Sequence, residues 1–440
     1  QGDFSCLHHV RESFEYHGYT ESSVNDSNWD VLWSHDYPFK ILYSKLKNLK
    51  AHQKVNHFPG IGHITNKMDL ASSAIPYIPK AFKIPEQKEA FLAFASNNTH
   101  KKLIQKSNEH RGIKIVGVEE VNLSAAGSFV QEFIDDPLLV DGHKFDIGVY
   151  TVITSFDPLR VYIYNGEMLF RYCPEEYYPF DPDKVTSYVV ENDYLPTWKV
   201  PSLKKYYVDL GYSMKDTFNS YMLEIGRKPD IIWKQIEDAI RTICLKKEPL
   251  ITKLLTPYNS KKHFFEMIRF DFIVDNNLNV YVMEANMSPN LSSAHFPPNS
   301  SLYMEVLLNL FSLVGLANTR FVNFEKYITD KNIVVTPSEC AKCSSCVLPE
   351  CQLCLTCLTP ESKLNLKDAY LEHINKRDFK RVFPPTKVYF IYENVITPIR
   401  EKYQNPFDVI HLENLIMSID FFVLDINSVF CCKLSICYFA

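Results

Sequence analysis

Residues 263–286 read HFFEMIRFDFIVDNNLNVYVMEAN, two apolar, β-rich arms meeting at Asn276-Asn277. A hairpin this apolar must lie inside a sheet, and side chains alternate across a strand, so any charge on it has its face fixed by parity. Asparagines tolerate the left-handed backbone of tight turns. A two-residue loop at Asn276-Asn277 predicts Asp275 opposite Leu278 and Asp271 opposite Val282. Val282, Glu284 and Asn286 then share the face that carries Asp271. Two carboxylates and an amide converging on one buried face repel unless a positive partner fills the gap. Hard oxygen donors in small number, with room for phosphate oxygens and water, suit Mg²⁺.

The rest of the chain can supply a large domain around that hairpin. It has 440 residues, of which 46% are apolar and 14% aromatic, enough for a sizeable core. The net charge of -5 comes without long blocks of like charge, which argues against nucleic-acid binding. No apolar run reaches the length of about 18 residues that a membrane span needs. The first residue is Gln, so the absence of a leader carries no weight.

SCLHHVRESFEYHG has helical spacing, and a second helix is predicted over Glu86 to Ala95. From Leu103 the pattern turns to strands: KLIQK, IKIVGVEEVNL, SFVQEFI, DIGVYTVITSF and LRVYIYNGEMLFRYC. After Tyr177 the chain is polar and irregular to about Ser213. A helix then runs from Lys228 to Leu245, with Pro229 at its start.

Cations fall where these strands end. Lys106 closes a strand before SNEHRGIKIV, whose Arg111-Gly112 suits a flap over phosphates, and Lys144 enters a strand two residues ahead of Asp146. Two lysines aimed from different strands at an oxygen-ligated metal suit a nucleotide triphosphate. Between them, Gln131, Glu132, Phe133 and Ile134 form an edge able to offer backbone groups to an adenine. No Walker GxxxxGK[ST] is present, which excludes a P-loop.

In order, NHFPG, the Lys106 to Gly112 loop, FVQEFIDDPLLVDGHKFDIGVYTVITSFDPLRVYIY, FFEMIRFDFIVD and VYVMEANMSPNLS resemble the tubulin-tyrosine ligase-like family, closest to its polyglutamylases, over about Val55 to Leu316. The resemblance implies an α/β (α+β) chain with the ATP-grasp-type ligase fold and antiparallel sheets. An N-terminal α/β entry region (1–54) would precede the ligase domain (55–320), with a Cys-rich clip (336–360) and a helical C-terminal tail (361–440) after it. The family pattern makes Lys106, Arg111, Gly112, Gln131 to Ile134, Lys144 and Asp146 ATP contacts. Asp271, Glu284 and Asn286 become Mg²⁺ ligands. Arg171 receives the carboxylate of the incoming amino acid, with Thr186-Ser187 beside it, and Lys144, Asp146, Arg171 and Glu284 form the catalytic set.

The implied reaction joins an amino acid, expected to be glutamate, to a glutamate side chain of tubulin or another acidic protein in the cytoplasm, with microtubule or cilium association open. Two departures stand out. The family usually has an arginine two residues after the aspartate of KFD, where this chain has Gly148, and the HLTN segment appears as Lys184-Val185-Thr186-Ser187. Losing an arginine removes a bidentate contact that lysine or water cannot copy. These departures motivate a competing reading, a catalytically weak ligase fold used as a partner platform.

Cys340, Cys343, Cys346, Cys351, Cys354 and Cys357 form two CxxCxxC units. In a reducing compartment such thiols become Zn²⁺ ligands, and in an oxidising one they pair as disulfides. An ATP-dependent ligase in the cytosol favours a structural zinc. Beyond it, LKDAYLEHINKRDFKRVF reads as a helical tail and KVYFIYE as a strand, and the closing VFCCKLSICYFA is too short to span a membrane.

Overall fold

The computed structural model describes residues 7–23, 26–107, 114–317, 333, 340–346, 351 and 354–384. The chain folds around an eight-stranded antiparallel sheet. Its spine is β5 (His143–Phe156), a 14-residue strand buried along nearly its whole length. One edge of β5 pairs with β8 (Glu266–Val274), which in turn pairs with β9 (Val280–Asn286). The other edge is shared, with β7 (Leu169–Tyr172) on its first half and β6 (Leu159–Tyr164) on its second. Covered on both faces, these strands need no polar alternation, which explains the near-continuous apolar runs.

A smaller four-stranded antiparallel sheet orders as β1 (Ala81–Ile84), β4 (Ser128–Glu132), β2 (Leu103–Ser107) and β3 (Lys114–Val116). It packs on α3 (Lys88–Ser96) through Phe82, Phe91 and Ala95. Ahead of it lie α1 (His8–Tyr16) and the short α2 (Lys67–Ala71), which is N-capped by the Asn66 side chain. Across the large sheet lie α4 (Met214–Glu224) and α5 (Asp230–Leu255), followed in sequence by α6 (Asn299–Leu313). Helix α5 is longer than its apolar spacing predicts: Ile232, Ile236, Ala239, Ile240 and Ile243 continue as a buried stripe through Ile251 and Leu255, past Pro249.

The hairpin loop is one residue longer than its sequence predicts. Asp275 donates its amide to the carbonyl of Asn279, and Leu278 takes a left-handed φ of +65°. The Asp275 carboxylate holds the turn by accepting from the Asn277 and Asn279 amides. A one-residue slip would have turned Asp271 to the other face, but an irregularity between Asp271 and Phe272 shifts the register once more. Asp271 therefore pairs with Glu284, not Val282, and the shared face survives.

A buried pair anchors the NHFPG segment under β8. His57 Nδ1 lies 2.7 Å from Glu266, whose other oxygen accepts the Phe58 amide. Burial would lower the imidazole pKa, but the charge and hydrogen bond of Glu266 outweigh it and raise it.

Two expectations about the C-terminal third change. The zinc is replaced by three disulfides, Cys340–Cys354, Cys343–Cys351 and Cys346–Cys357, with Cα separations of 5.5–5.6 Å. Every thiolate that a tetrahedral metal would need is used in a sulfur–sulfur bond. The helical segment, α7 (Pro360–Asn375), leads directly into β10 (Phe379–Phe383), which pairs with β6 as a strand of the large sheet. KVYFIYE and the closing apolar run lie outside the described residues. Among the described residues no helix is long and apolar enough to cross a membrane.

One carboxylate seats α7. Glu372 accepts on a single oxygen from Thr154 Oγ1 at 3.0 Å, Arg160 Nε at 2.8 Å and Tyr162 Oη at 2.9 Å. Truncation strands the Arg160 guanidinium in the interior, so Glu372→Ala is expected to lose roughly 3–5 kcal/mol of unfolding free energy in urea. Glu372→Gln, which keeps an acceptor, should lose less. A loss for Glu372→Ala below about 1 kcal/mol would show that Glu372 does not seat the helix.

Candidate active site

The charged residues meet on one face of the large sheet, opposite the small one, because strand register places them in adjacent rows. Arg171 on β7 is the direct partner of Asp146 on β5. One row along, Gly148 faces Asp271 on β8, and Asp271 faces Glu284 on β9. Directly opposed residues project the same way, so four separate strands deliver their side chains to one place.

Asp271, almost fully buried, is the junction. It accepts Arg269 Nε at 2.7 Å and Nη2 at 2.9 Å, Arg171 Nη2 at 2.9 Å, and Asn286 Nδ2 at 3.0 Å. Arg171 also forks onto Asp146, at 2.8 and 2.7 Å. Asn286 Nδ2 lies 3.1 Å from Glu284, and Lys67 of α2 pairs with the other oxygen of Glu284 at 2.9 Å. Lys106, from β2 of the small sheet, reaches Gln131 on β4 at 3.2 Å. Lys144 donates to the carbonyl of Tyr188 at 2.7 Å and lies 5.5 Å from the Phe133 ring.

Cations outnumber carboxylates here, and the charges respond. Burial lowers the Lys106 pKa to about 8, helped by Lys144 and Lys67 and opposed by Glu284. Burial likewise lowers Lys144. For Glu284 burial pushes up, but the charge of Lys67 and hydrogen bonds from Lys67 and Asn286 win and hold it down at about 2. Asp146 goes the other way, to about 6: burial and the charge of Asp271 together exceed the pull of Arg171 and Arg269. A surplus of positive charge with one firmly ionised carboxylate suits a polyphosphate and its divalent cation.

The residues present fit a magnesium ion. Asn286 Nδ2 donates to both Asp271 and Glu284, so the two carboxylates converge on one point, and flipping the Asn286 amide would turn its oxygen there as a third hard donor.

The structure thus brings together Lys106, Gln131, Lys144, Asp146, Arg171, Asp271, Glu284 and Asn286. Glu132 ion-pairs with Lys101, Phe133 packs on Phe180 and Tyr188, and Ile134 follows the end of β4, half-buried. Thr186 and Ser187 turn elsewhere: Thr186 donates to Glu175 at 2.9 Å and Ser187 to the Lys184 carbonyl at 2.8 Å. Their link to the site is the next residue, Tyr188, whose carbonyl holds Lys144. Arg111 and Gly112 lie outside the described residues. Lys67 and Arg269 were missed by sequence reasoning. The signal for Arg269 was an arginine amid an apolar strand at the parity of Asp271, and Lys67 opens a helix of five residues, too short to show periodicity.

A model of the tubulin-tyrosine ligase family matches residues 44–322, well over half of the chain. The chain belongs to that family. It is 42% identical over 410 residues to probable tubulin polyglutamylase ttll-15 of Caenorhabditis elegans, covering 88% of this chain and 78% of that protein. It is 28% identical over 335 residues to mouse tubulin polyglutamylase TTLL6, covering 70% of this chain and 39% of that protein. Human tubulin monoglutamylase TTLL4 is 25% identical over 343 residues, 73% of this chain and 27% of its own length. The chain therefore spans well under half of these two mammalian relatives. Membership makes it a ligase with the ATP-grasp-like fold, the mixed α/β, antiparallel architecture that its motifs imply, similar to relatives named as polyglutamylases.

The raised Asp146 pKa carries a sign. A carboxyl group whose folded value exceeds its unfolded one binds a proton more tightly when folded, so its contribution to stability falls as pH rises from about 4 to about 6. In an infrared or carboxyl-carbon NMR titration Asp146 is expected to centre near pH 6, and higher in Arg171→Met. A midpoint in the ordinary aspartate range, unmoved by Arg171→Met, would contradict this electrostatic picture.

Proposed function

We propose that the chain uses ATP and Mg²⁺ to join the amine of a free amino acid, glutamate, to a glutamate side chain of an acidic acceptor protein. The observation that carries this reading is the convergence of Asp271, Glu284 and Asn286 with Lys67, Lys106, Lys144 and Arg171 on one face between the two sheets. The acceptor carboxylate attacks the γ-phosphorus of ATP and ADP departs, leaving an acyl phosphate. The amine then attacks the acyl carbon, phosphate leaves, and the amine gives up its proton. When bound, Mg²⁺ draws charge from the phosphate oxygens.

Other duties fall to side chains. Lys106 and Lys144 lie where the polyphosphate would run, and Gln131 to Ile134 line the edge for the adenine. Arg171, held by Asp146 and Asp271, is aimed to take the carboxylate of the incoming amino acid once substrates compete for it. No covalent enzyme nucleophile is required, since positioning and charge stabilisation carry phosphoryl and acyl transfer.

Intact-mass spectrometry after incubation with ATP, Mg²⁺, glutamate and a pool of acidic proteins including tubulin tests the reading. Addition of glutamate mass is expected with wild type, and a loss on the order of 10²-fold or more with the near-isosteric Glu284→Gln. Full activity of Glu284→Gln would remove the metal role of Glu284, and no addition by wild type to any acceptor would favour the partner-platform reading.

The disulfides favour a second reading of where the reaction occurs. Tubulin is the acceptor named for the relatives, and a cytosolic setting goes with it. Three disulfides beside α7, however, are bonds that form and persist in oxidising compartments. They support an acidic acceptor met outside the reducing cytosol. Alkylation of protein taken from its native cells without reductant is expected to leave these six cysteines unlabelled. Six free thiols there would restore the cytosolic, tubulin-directed reading.

A further inference from the structure

The arginine absent at position 148 has a neighbour lying in its place. A Cβ built on Gly148 would stand 2.9 Å from Arg269 Cδ, 3.3 Å from Arg269 Nε and 3.3 Å from Asp271 Oδ1. The first distance is inside van der Waals contact, so Arg269 in its present rotamer and any side chain at 148 exclude each other. The backbone of Gly148 is extended within β5, so no left-handed geometry calls for glycine; the close approach of Arg269 does.

Arg269 arrives from β8, where it is the direct partner of Tyr150 and leans diagonally across β5 over Gly148. It is buried, and its Nε and Nη2 fork onto Asp271, the carboxylate that also holds Arg171 and Asn286. A guanidinium is an expensive group to bury, and this one is buried on a carboxylate that Arg171, itself forked onto Asp146, reaches with a single nitrogen. Its planar fork is the group that reads carboxylate or phosphate in pairs.

We propose that Arg269 is the specificity-determining arginine of this ligase, carried on β8 in place of one on β5, and that Gly148 is the vacancy which lets it reach the reacting phosphate or acceptor carboxylate. The inference rests on the ligase reading. It turns the departure at Gly148 from a sign of lost activity into half of a paired exchange between adjacent strands. The second half, an arginine at the Asp271 parity in an apolar strand, sits far away in sequence and becomes a neighbour only through the register of β5 with β8.

The paired exchange makes a reciprocal test. Arg269→Gly is expected to lower kcat/KM on the order of 10²-fold, with the loss in kcat and in the KM for the acceptor protein and little change in the KM for ATP. Gly148→Arg alone is also expected to lose activity, because the new side chain meets Arg269. The double variant Gly148→Arg/Arg269→Gly should recover at least tenfold over the poorer single variant, and Arg269→Lys should not substitute, since lysine lacks the fork. A double variant no better than both singles, or Arg269→Gln with wild-type kcat and acceptor KM, would overturn the inference.

A second readout separates this claim from the ligase reading. Thermal midpoints with and without ATP and Mg²⁺ are measured for all variants. If wild type is stabilised by nucleotide yet modifies no acceptor, the ligase reading fails. The exchange is then judged by whether crowding at Gly148→Arg lowers the midpoint and removal of Arg269 in the double variant restores it, and no restoration would overturn it too.

Discussion

Everything in this site depends on one buried carboxylate. Asp271 faces two guanidiniums and an amide, and each donor comes from a different place in the sheet: Arg269 from its own strand, Arg171 from β7 across β5, Asn286 from β9. Breaking a buried pair of this kind leaves an uncompensated charge, a cost of several kcal/mol. The cluster therefore ties together the register of four strands. On the proposed reading it also sets the chemistry: a carboxylate held by cationic partners would trade one of them for a metal ion when a polyphosphate brings its own charge to satisfy the arginines.

The remainder of the fold holds that cluster still and supplies the other wall. The His57–Glu266 pair fixes the segment before α2 and so places Lys67 against Glu284. Lys106 and Gln131 come from the small sheet, so that lysine and the acidic face of the large sheet belong to different layers. On the far half of β5, Glu372 ties α7 to Arg160 and Tyr162, and β10 extends the large sheet. The disulfide-bonded segment precedes α7 directly, which makes the C-terminal part a structural element of the ligase sheet.

Much of this was legible in the sequence, for physical reasons. The face shared by Asp271, Glu284 and Asn286 followed from strand parity alone, and it survived an error in the loop because two one-residue shifts cancel: the extra residue at Leu278 and the irregularity after Asp271. Nothing in the local sequence announces that irregularity. Lys144, Asp146 and Arg171 were legible through ordered motifs, and their pairing required knowing that β5 and β7 are neighbours. Arg269 stayed hidden because its meaning lies in a contact with a glycine on another strand. The cysteine spacing was readable as a cluster, but spacing cannot choose between metal and disulfide, and the choice of zinc followed the assumed compartment. Lys67 was hidden because a short helix at a loop edge gives too little periodicity to read.

The central claim is that the Asp271 face takes the divalent cation of a nucleotide. Electron paramagnetic resonance with Mn²⁺ in place of Mg²⁺, titrated into wild-type protein with and without ATP, tests it apart from turnover. Bound Mn²⁺ that requires ATP, with affinity at least roughly tenfold weaker in Asp271→Asn, is the outcome predicted for a metal-ligating carboxylate. Equal Mn²⁺ affinity in wild type and Asp271→Asn, at saturating ATP, would place the metal elsewhere and contradict the account.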